Sequence, residues 1–142
     1  MGWIQKEITI SAKKRGFCLI TNEILRQIPE IEKCKAGLLH LFIKHTSASL
    51  TINENADPTV RADLEEHFKR SVPDGAPYYL HTMEGDDDMS AHIKSTTIGG
   101  SLSIPIKNGR LELGTWQGIY ICEHRENPHS RRIFASINGE NI

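Results

Sequence analysis

The sequence predicts a single α+β domain, an antiparallel, barrel-like sheet of about seven or eight strands with two or three helices packed outside. Three observations predict this fold class. Apolar and polar residues alternate in several short segments, most clearly in the last third of the chain. Asn108-Gly109 separates two such segments, and this dipeptide is the strongest short signal for a β-hairpin. The segment Pro58 to Arg70 repeats its apolar residues every four positions, which predicts a helix.

The first third of the chain predicts three strands and one short helix. Alternation predicts a strand over Trp3 to Ile10, and Phe17 to Ile20 predicts a second one. Thr21 is expected to cap a helix over Asn22 to Gln27. The apolar run "GLLHLFIK", Gly37 to Lys44, predicts a central strand that is buried on both faces.

The middle of the chain predicts two further helices. Asp57 offers an N-cap carboxylate and Pro58 suits the first helical position, so the long helix is expected to begin there. After a loop, Asp88 or Ser90 is expected to cap a short helix that carries His92.

The last third is expected to be β-rich. The segments "SLSIPIKNGRLEL", "TWQGIYICEHR" and "RRIFASI" all alternate, the first of them on both sides of the predicted hairpin turn. No repeat, low-complexity tract or Pro/Gly/Ser linker divides the chain, so residues 1–142 are interpreted as one domain.

Composition excludes some classes of function. A chain that is 38% apolar and 25% charged is typical of a globular protein. A net charge of -1 gives no basic stripe for nucleic acid or an anionic membrane, so neither is expected as a partner. Three scattered cysteines do not suggest a disulfide framework, and no run reaches the roughly 18 apolar residues of a membrane span. A cytoplasmic protein is therefore expected.

The stretch "HTSASLTINENADP" is the first candidate site. His45 follows an apolar strand, where a rigid scaffold passes into a loop, and its imidazole could ligate a metal or move a proton near neutral pH. Ser47 and Ser49 offer hydroxyls to phosphate oxygens. The competing interpretation is a polar turn with strand-end hydroxyl residues.

The stretch "LHTMEGDDDMSAH" is the second candidate site. His81, Glu84, Asp88 and His92 would converge on a metal if the turn at Gly85 folds the chain back. Their spacing matches no established zinc signature, and three consecutive Asp residues are also typical of a solvated turn.

The segment "GTWQGIYICEHR" is the third candidate site. Trp116 could stack on a planar ring, although a core Trp is the ordinary interpretation. Strand alternation places Glu123 and Arg125 at a charged strand exit, and it allows only one of Arg131 and Arg132 to point inward. An inward Arg would clamp a phosphate or a carboxylate. No Walker A loop, GxGxxG or GxSxG motif is present, so no nucleotide cofactor is expected.

Four motifs together resemble the YjbQ family, an uncharacterised family also described as secondary thiamine-phosphate synthases: "HTSASLTINENADPTVR", "EGDDDMSAHIK", "NGRLELGTWQGIYICEHR" and "RRI". The resemblance runs from about Ile4 to Glu140. It implies a β-rich α+β fold, a homotrimer with polar motifs at subunit boundaries, and a weak thiamine-phosphate synthase activity. That reaction couples an aminopyrimidine pyrophosphate to a thiazole phosphate and releases pyrophosphate. Ser90 stands where members often carry Pro, which is expected to loosen the turn before His92.

The resemblance marks a set of polar residues by position, and the chemistry of these side chains suggests a role for each of them except Glu54. The catalytic candidates are His45, Glu84, His92 and Glu123. The substrate- and phosphate-binding candidates are Ser47, Ser49, Asn53, Asn55, Lys94, Trp116, Gln117 and Arg131. The metal-binding candidates are His45, His81, Glu84, Asp88 and His92.

Three functions remain open at this level. Glu84 and Asp88 could hold Mg²⁺ on a pyrophosphate leaving group, as a synthase requires. Converging His residues would instead form a zinc-like site of a hydrolase or lyase acting on small phosphorylated metabolites. A trimeric metabolite-binding protein without catalysis is the third interpretation.

Overall fold

The computed structural model describes residues 1–142 and contains eight strands and three α-helices. The strands are β1 (Gly2–Ile10), β2 (Gly16–Leu19), β3 (Ala36–Ile43), β4 (Ala48–Glu54), β5 (Ser101–Lys107), β6 (Arg110–Leu111), β7 (Gln117–Glu123) and β8 (Arg131–Gly139). The helices are α1 (Thr21–Gln27), α2 (Pro58–Ser71) and α3 (Asp86–Ile98), and a 3-10 turn covers Pro29–Lys33.

The strands form two antiparallel sheets that face each other. The larger sheet has the order β1-β8-β3-β5-β6, and the smaller has the order β2-β7-β4. Their inward apolar residues form one core, in which Leu41, Ile121 and Ile133 are almost fully buried. The main chain at Gly99 and Gly100 connects the sheets, because its carbonyls accept from the amides of Leu50 and Ile43. The predicted barrel-like α+β arrangement is confirmed, with the barrel divided into two sheets.

Helices α2 and α3 cover the outer face of the smaller sheet. A small apolar cluster of Phe17, Tyr120 and Cys122 lies there, and Leu64 and Phe68 of α2 pack against it. Buried polar and charged groups, among them Ser49, Asp88 and Lys94, lie in the same layer. The polar motifs of the sequence are therefore folded into the layer between the smaller sheet and the two helices.

The central strand β3 departs from its prediction. It lies in the middle of the five-stranded sheet, as expected, but only the face with Leu39 and Leu41 is buried. Leu38 and Phe42 on the opposite face are 52% and 51% exposed. The prediction of burial on both faces was wrong because the second sheet and the helices α2 and α3 all lie on one side of this sheet.

Two predicted helix starts also differ. The Thr21 hydroxyl accepts from the amide of Ile119 and does not cap α1. Helix α3 begins at Asp86 after Gly85 and runs for 13 residues, so neither Asp88 nor Ser90 is its N-cap. Both errors arise because a hydroxyl or carboxylate near a helix start can bind a different partner supplied by the tertiary fold.

The strongest local signals are confirmed. The Asp57 carboxylate accepts from the amide of Thr59 at 2.9 Å, at the start of α2. Asn108 and Gly109 have φ angles of 51° and 79°, as a tight hairpin turn between β5 and β6 requires. None of the helices has the length and apolar character needed to span a membrane.

Candidate metal centre

Three side chains of the second motif converge at the N-terminal half of α3. The Nε2 atoms of His81 and His92 lie 2.6 Å and 3.1 Å from Oδ2 of Asp88, and the three atoms all fall within 4.8 Å of one another. Asp88 and His92 are four residues apart on one face of α3, whereas the loop before the helix supplies His81. This group could hold a metal ion.

Asp88 is buried, with 1% of its surface exposed, and a guanidinium lies against its carboxylate. Its second oxygen, Oδ1, accepts from Nη1 of Arg125 at 2.5 Å. Burial alone would raise the pKa of Asp88, but the hydrogen bond from His81 and the charges of His92 and Arg125 outweigh it and lower the pKa. Asp88 is therefore an ionised ligand at neutral pH.

His92 is oriented as a metal ligand. Its Nδ1 lies 2.9 Å from the carbonyl oxygen of Thr46, so Nδ1 carries a proton and donates it there. In a neutral ring the lone pair of Nε2 then faces Asp88 Oδ2, which is also an acceptor. A cation, either a proton or a metal, is required between them. Metal-binding imidazoles commonly donate their second nitrogen to a backbone carbonyl in this way.

Arg125 fixes the start of α3 from the end of β7. Its Nε binds Oδ2 of Asp87 at 3.0 Å, and its Nη2 binds the carbonyl oxygen of Glu84 at 2.9 Å. Together with its bond to Asp88, the guanidinium holds three acceptors at the start of α3. Alternation had placed Arg125 at a strand exit, but neither this partner set nor Asp87 was predicted from the sequence.

Glu84 does not join the metal group through its side chain. The residue is exposed, and only its backbone carbonyl binds Arg125. Ser90 lies within the continuous helix and donates to Asp74 at 2.5 Å. The loosened turn that was expected before His92 is therefore not present.

A cleft of about 420 Å³ adjoins the metal group at His92. Its lining side chains all carry hydrogen-bonding groups: His45, Thr46, His92, Ser95 and Thr96. His45 Nε2 accepts from the amide of Arg132 at 2.8 Å, so in the neutral ring Nδ1 holds the proton. Burial, followed by the charges of Arg131 and Arg132, lowers the pKa of His45. His45 is therefore a neutral donor beside the cleft, separate from the three metal ligands.

Glu123 and Arg131 form a buried, two-bonded ion pair on neighbouring strand ends. Arg131 Nε binds Oε1 of Glu123 at 2.8 Å, and Nη2 binds Oε2 at 2.5 Å. Nη2 also lies 3.4 Å from the carbonyl oxygen of Ser47. Arg131 points inward and Arg132 outward, in agreement with the alternation, and the clamped carboxylate is an internal one.

Ser49 and Lys94 lie inside the protein. The hydroxyl of Ser49 is 2.8 Å from Nε2 of His124, a buried ring whose pKa is lowered to about 3 by burial and by the charges of Lys94, Arg15 and Arg131. Lys94 is 0% exposed, and burial is also the main cause that lowers its pKa. His124 was not singled out by the sequence, because a single His at a strand end gives no sign of its burial.

The remaining candidates lie at the other end of β4, roughly 20 Å away along the strand. Asn55 donates to the carbonyls of Thr115 and Gln117, and the Gln117 side chain accepts from the amide of Gly114. Asn53 accepts from the amide of Glu54. Trp116 is 65% exposed. Within one chain, these groups stabilise a turn that is remote from the metal group.

Fold and site together define an α+β domain with two antiparallel sheets and a candidate His-Asp-His metal centre. The family model described as UPF0047 protein YjbQ-like matches residues 6–140. The chain belongs to this UPF0047/YjbQ family, which confirms the resemblance seen in its motifs.

Relatives support the assignment over nearly the whole chain. The UPF0047 protein YjbQ of Escherichia coli O157:H7 is 55% identical, with 97% of this chain and 99% of the relative covered. The UPF0047 protein YugU of Bacillus subtilis is 38% identical, with 94% and 98% covered. The crystal structure of hypothetical protein APE1520 from Aeropyrum pernix K1 has a TM-score of 0.84 at 30% identity, with 96% of this chain and 99% of that chain covered. The structure of an uncharacterised YjbQ/UPF0047 protein from Clostridium acetobutylicum has a TM-score of 0.81 at 37% identity, with 94% and 99% covered.

Proposed function

We propose that this protein is a divalent-metal-dependent hydrolase or lyase that acts on a small phosphorylated metabolite. The observation that carries the proposal is the convergence of His81, Asp88 and His92, with the His92 ring anchored to the Thr46 carbonyl. A metal held by three protein ligands keeps a coordination position for water or a substrate oxygen and would supply Lewis-acid chemistry there.

The donor set favours a zinc-like ion over magnesium. Two imidazole nitrogens and one carboxylate oxygen suit zinc and similar transition metals, whereas magnesium prefers oxygen ligands throughout. Arg125 leaves Asp88 a single oxygen, Oδ2, to offer to the metal. The protein therefore presents three ligand atoms from three residues.

The adjacent cleft supports a small, polar substrate. No apolar side chain lines it, and the Nδ1–H of His45 offers a neutral donor near its wall. Lys94 and Arg131, the cations first expected to bind phosphate, are both buried, and Arg131 is paired with Glu123. Compensation of a phosphate charge would therefore depend on the metal.

Metal titration with matched variants tests the proposal. We expect the purified protein to bind one zinc or cobalt ion per chain, with affinity strongly reduced in His81→Ala, Asp88→Asn and His92→Ala. His67→Ala, an exposed histidine on α2, is the control and should bind as the wild type does. Equal binding by all four variants, or no binding by the wild type, would refute the metal site.

Activity assays of the metal-loaded protein then decide the reaction class. Release of phosphate or a dephosphorylated product from a panel of small phosphorylated metabolites, lost in Asp88→Asn, is the expected result. Formation of thiamine phosphate from the aminopyrimidine pyrophosphate and the thiazole phosphate, without hydrolysis, would replace the hydrolase or lyase proposal with the transferase implied by the family resemblance. Metal-dependent ligand binding without turnover would assign a binding protein.

We also propose that the chain assembles as a homotrimer and that neighbouring copies cover the open face of the larger sheet. Trp3, Leu38 and Phe42 expose 68%, 52% and 51% of their surface on this face, which is the face opposite the core. Sedimentation analysis should give three chains per particle. The double change Leu38→Lys and Phe42→Lys should give folded monomers. Ala62→Lys, at an exposed position of α2, is the control and should remain a trimer. A monomeric wild-type protein would contradict the proposal.

A further inference from the structure

We propose that the interface between α2, α3 and the loop joining β1 to β2 contains a binding site for ordered water, formed by Lys94, Glu65 and Arg15. This site is distinct from the metal group, although it adjoins the same helix. It does not depend on the proposed function.

Four buried polar atoms in this interface have no hydrogen-bond partner within the protein: Lys94 Nζ, Glu65 Oε1, Glu65 Oε2 and Arg15 Nε. Lys94 is 0% exposed, and its position on α3 directs it away from the cleft side of the helix. Arg15 Nε lies 3.7 Å from Glu65 Oε2, which is too long for a hydrogen bond. Charged atoms in this state are costly unless another group satisfies them.

The other nitrogens of Arg15 and the neighbouring Asp74 already have partners. The Arg15 guanidinium binds both oxygens of Asp74, at 2.7 Å and 3.1 Å, and it binds Glu126 at 2.6 Å. Ser90 also donates to Asp74. His124 is nearby and neutral. The unmet hydrogen-bonding capacity is therefore confined to the Lys94 amine, the Glu65 carboxylate and one nitrogen of Arg15.

The mixed signs of these groups identify the ligand class. Glu65 needs donors, whereas Lys94 and Arg15 need acceptors. An anion would bind the two cations but would be repelled by the carboxylate. A metal cation would bind the carboxylate but would be repelled by the two cations. Water both donates and accepts, and buried waters typically make about three hydrogen bonds to such groups. One or two waters would satisfy all four atoms.

The site has a structural consequence for the helical layer. Glu65 belongs to α2 and Lys94 to α3, so bridging water would connect the two helices. The buried residues of α3 are Asp88, Ser90, Ala91 and Lys94, whereas α2 has no fully buried residue. Polar connections of this kind would then hold α3, and with it two of the three candidate metal ligands.

A high-resolution crystal structure of the whole chain tests the inference directly. We expect a well-ordered water within about 2.7–3.2 Å of Lys94 Nζ and of a Glu65 oxygen. Direct contact between Lys94 and Glu65, a Lys94 side chain that reaches solvent, or a bound ion at this position would overturn it.

A double-mutant cycle provides a second, independent readout. Lys94→Met and Glu65→Gln should each lower the melting temperature, because each leaves an uncompensated partner. The double variant should be more stable than the sum of the two losses predicts. Lys69→Met, at an exposed position on α2, is the control. Strictly additive losses would show that no bridge couples the two side chains.

Discussion

Asp88 is the residue on which the candidate site depends. One carboxylate contacts two imidazoles through Oδ2 and a guanidinium through Oδ1, so its position is fixed from both sides. A short, buried and oriented carboxylate of this kind contributes little to folding that an apolar residue could not supply better. Asp88 thus combines a structural contact with Arg125 and an oxygen that a cation could share with the two imidazoles.

Arg125→Lys should weaken metal binding. Lysine keeps the positive charge but cannot bind Asp87, Asp88 and the Glu84 carbonyl together, so the ligand carboxylate loses its fixed orientation. We expect the dissociation constant to rise by about tenfold or more, the usual effect of losing an outer-sphere partner. Calorimetric titration with zinc measures it. The exposed Arg110→Lys is the control, and unchanged affinity in Arg125→Lys would remove this role.

His124 should make stability depend on pH. Its pKa is about 3 in the folded chain, against an ordinary value of 6.5, so the unfolded chain takes up a proton first as the pH falls. The contribution is complete above pH 6.5 and is lost on acidification toward pH 3, at up to about 1.4 kcal/mol per pH unit.

Urea unfolding of the wild type and His124→Gln between about pH 7 and pH 5 checks this dependence. The glutamine variant should have a shallower slope, because its side chain cannot be protonated. His67→Gln, at an exposed position, should keep the wild-type slope. Identical slopes in all three proteins would contradict the buried, neutral state of His124.

At the scale of elements, the hairpin and α3 were predicted with different success. Asn108-Gly109 was predicted correctly because the turn needs positive φ angles at two consecutive residues, and few other sequences provide them. Helix α3 was predicted as a short helix because its buried face carries Asp88, Ser90 and Lys94. Periodicity methods recognise an apolar face, and this helix has a polar one.

Gly109→Ala should destabilise the hairpin. An added Cβ would lie 2.6 Å from the carbonyl oxygen of Glu32, and the φ angle of 79° is unfavourable for alanine. We expect a loss of about 1–3 kcal/mol in the free energy of unfolding. Chemical denaturation measures it, with Gly100→Ala as the control, since its Cβ would meet only Ile43 at an ordinary 3.5 Å. A Gly109→Ala protein as stable as Gly100→Ala would refute the strain.

For the whole molecule, metal should stabilise the folded state. The three ligands come from a loop and from α3, so the folded chain should bind the ion more tightly than the unfolded chain does. A ligand at 100 times its dissociation constant adds about 2.7 kcal/mol to stability. Differential scanning calorimetry with and without zinc should show a rise in melting temperature that is absent in Asp88→Asn. Asp86→Asn, at an exposed position, is the control and should keep the wild-type rise. A rise of equal size in Asp88→Asn would locate the metal elsewhere.

The sequence by itself determined the fold class, the family, the long helix, the hairpin turn and the motif that contains the metal group. These depend on local propensity, on side-chain alternation and on residues close together in the chain. All three can be recognised in the amino-acid sequence alone. Only the tertiary structure decided which candidates meet. It joined His81 to Asp88 and His92, paired Glu123 with Arg131 internally, buried Lys94, and placed Trp116 and Asn55 at the far end of β4. The reason is physical: convergence and burial depend on which face of each strand the rest of the chain covers, and that is set by contacts between residues distant in sequence.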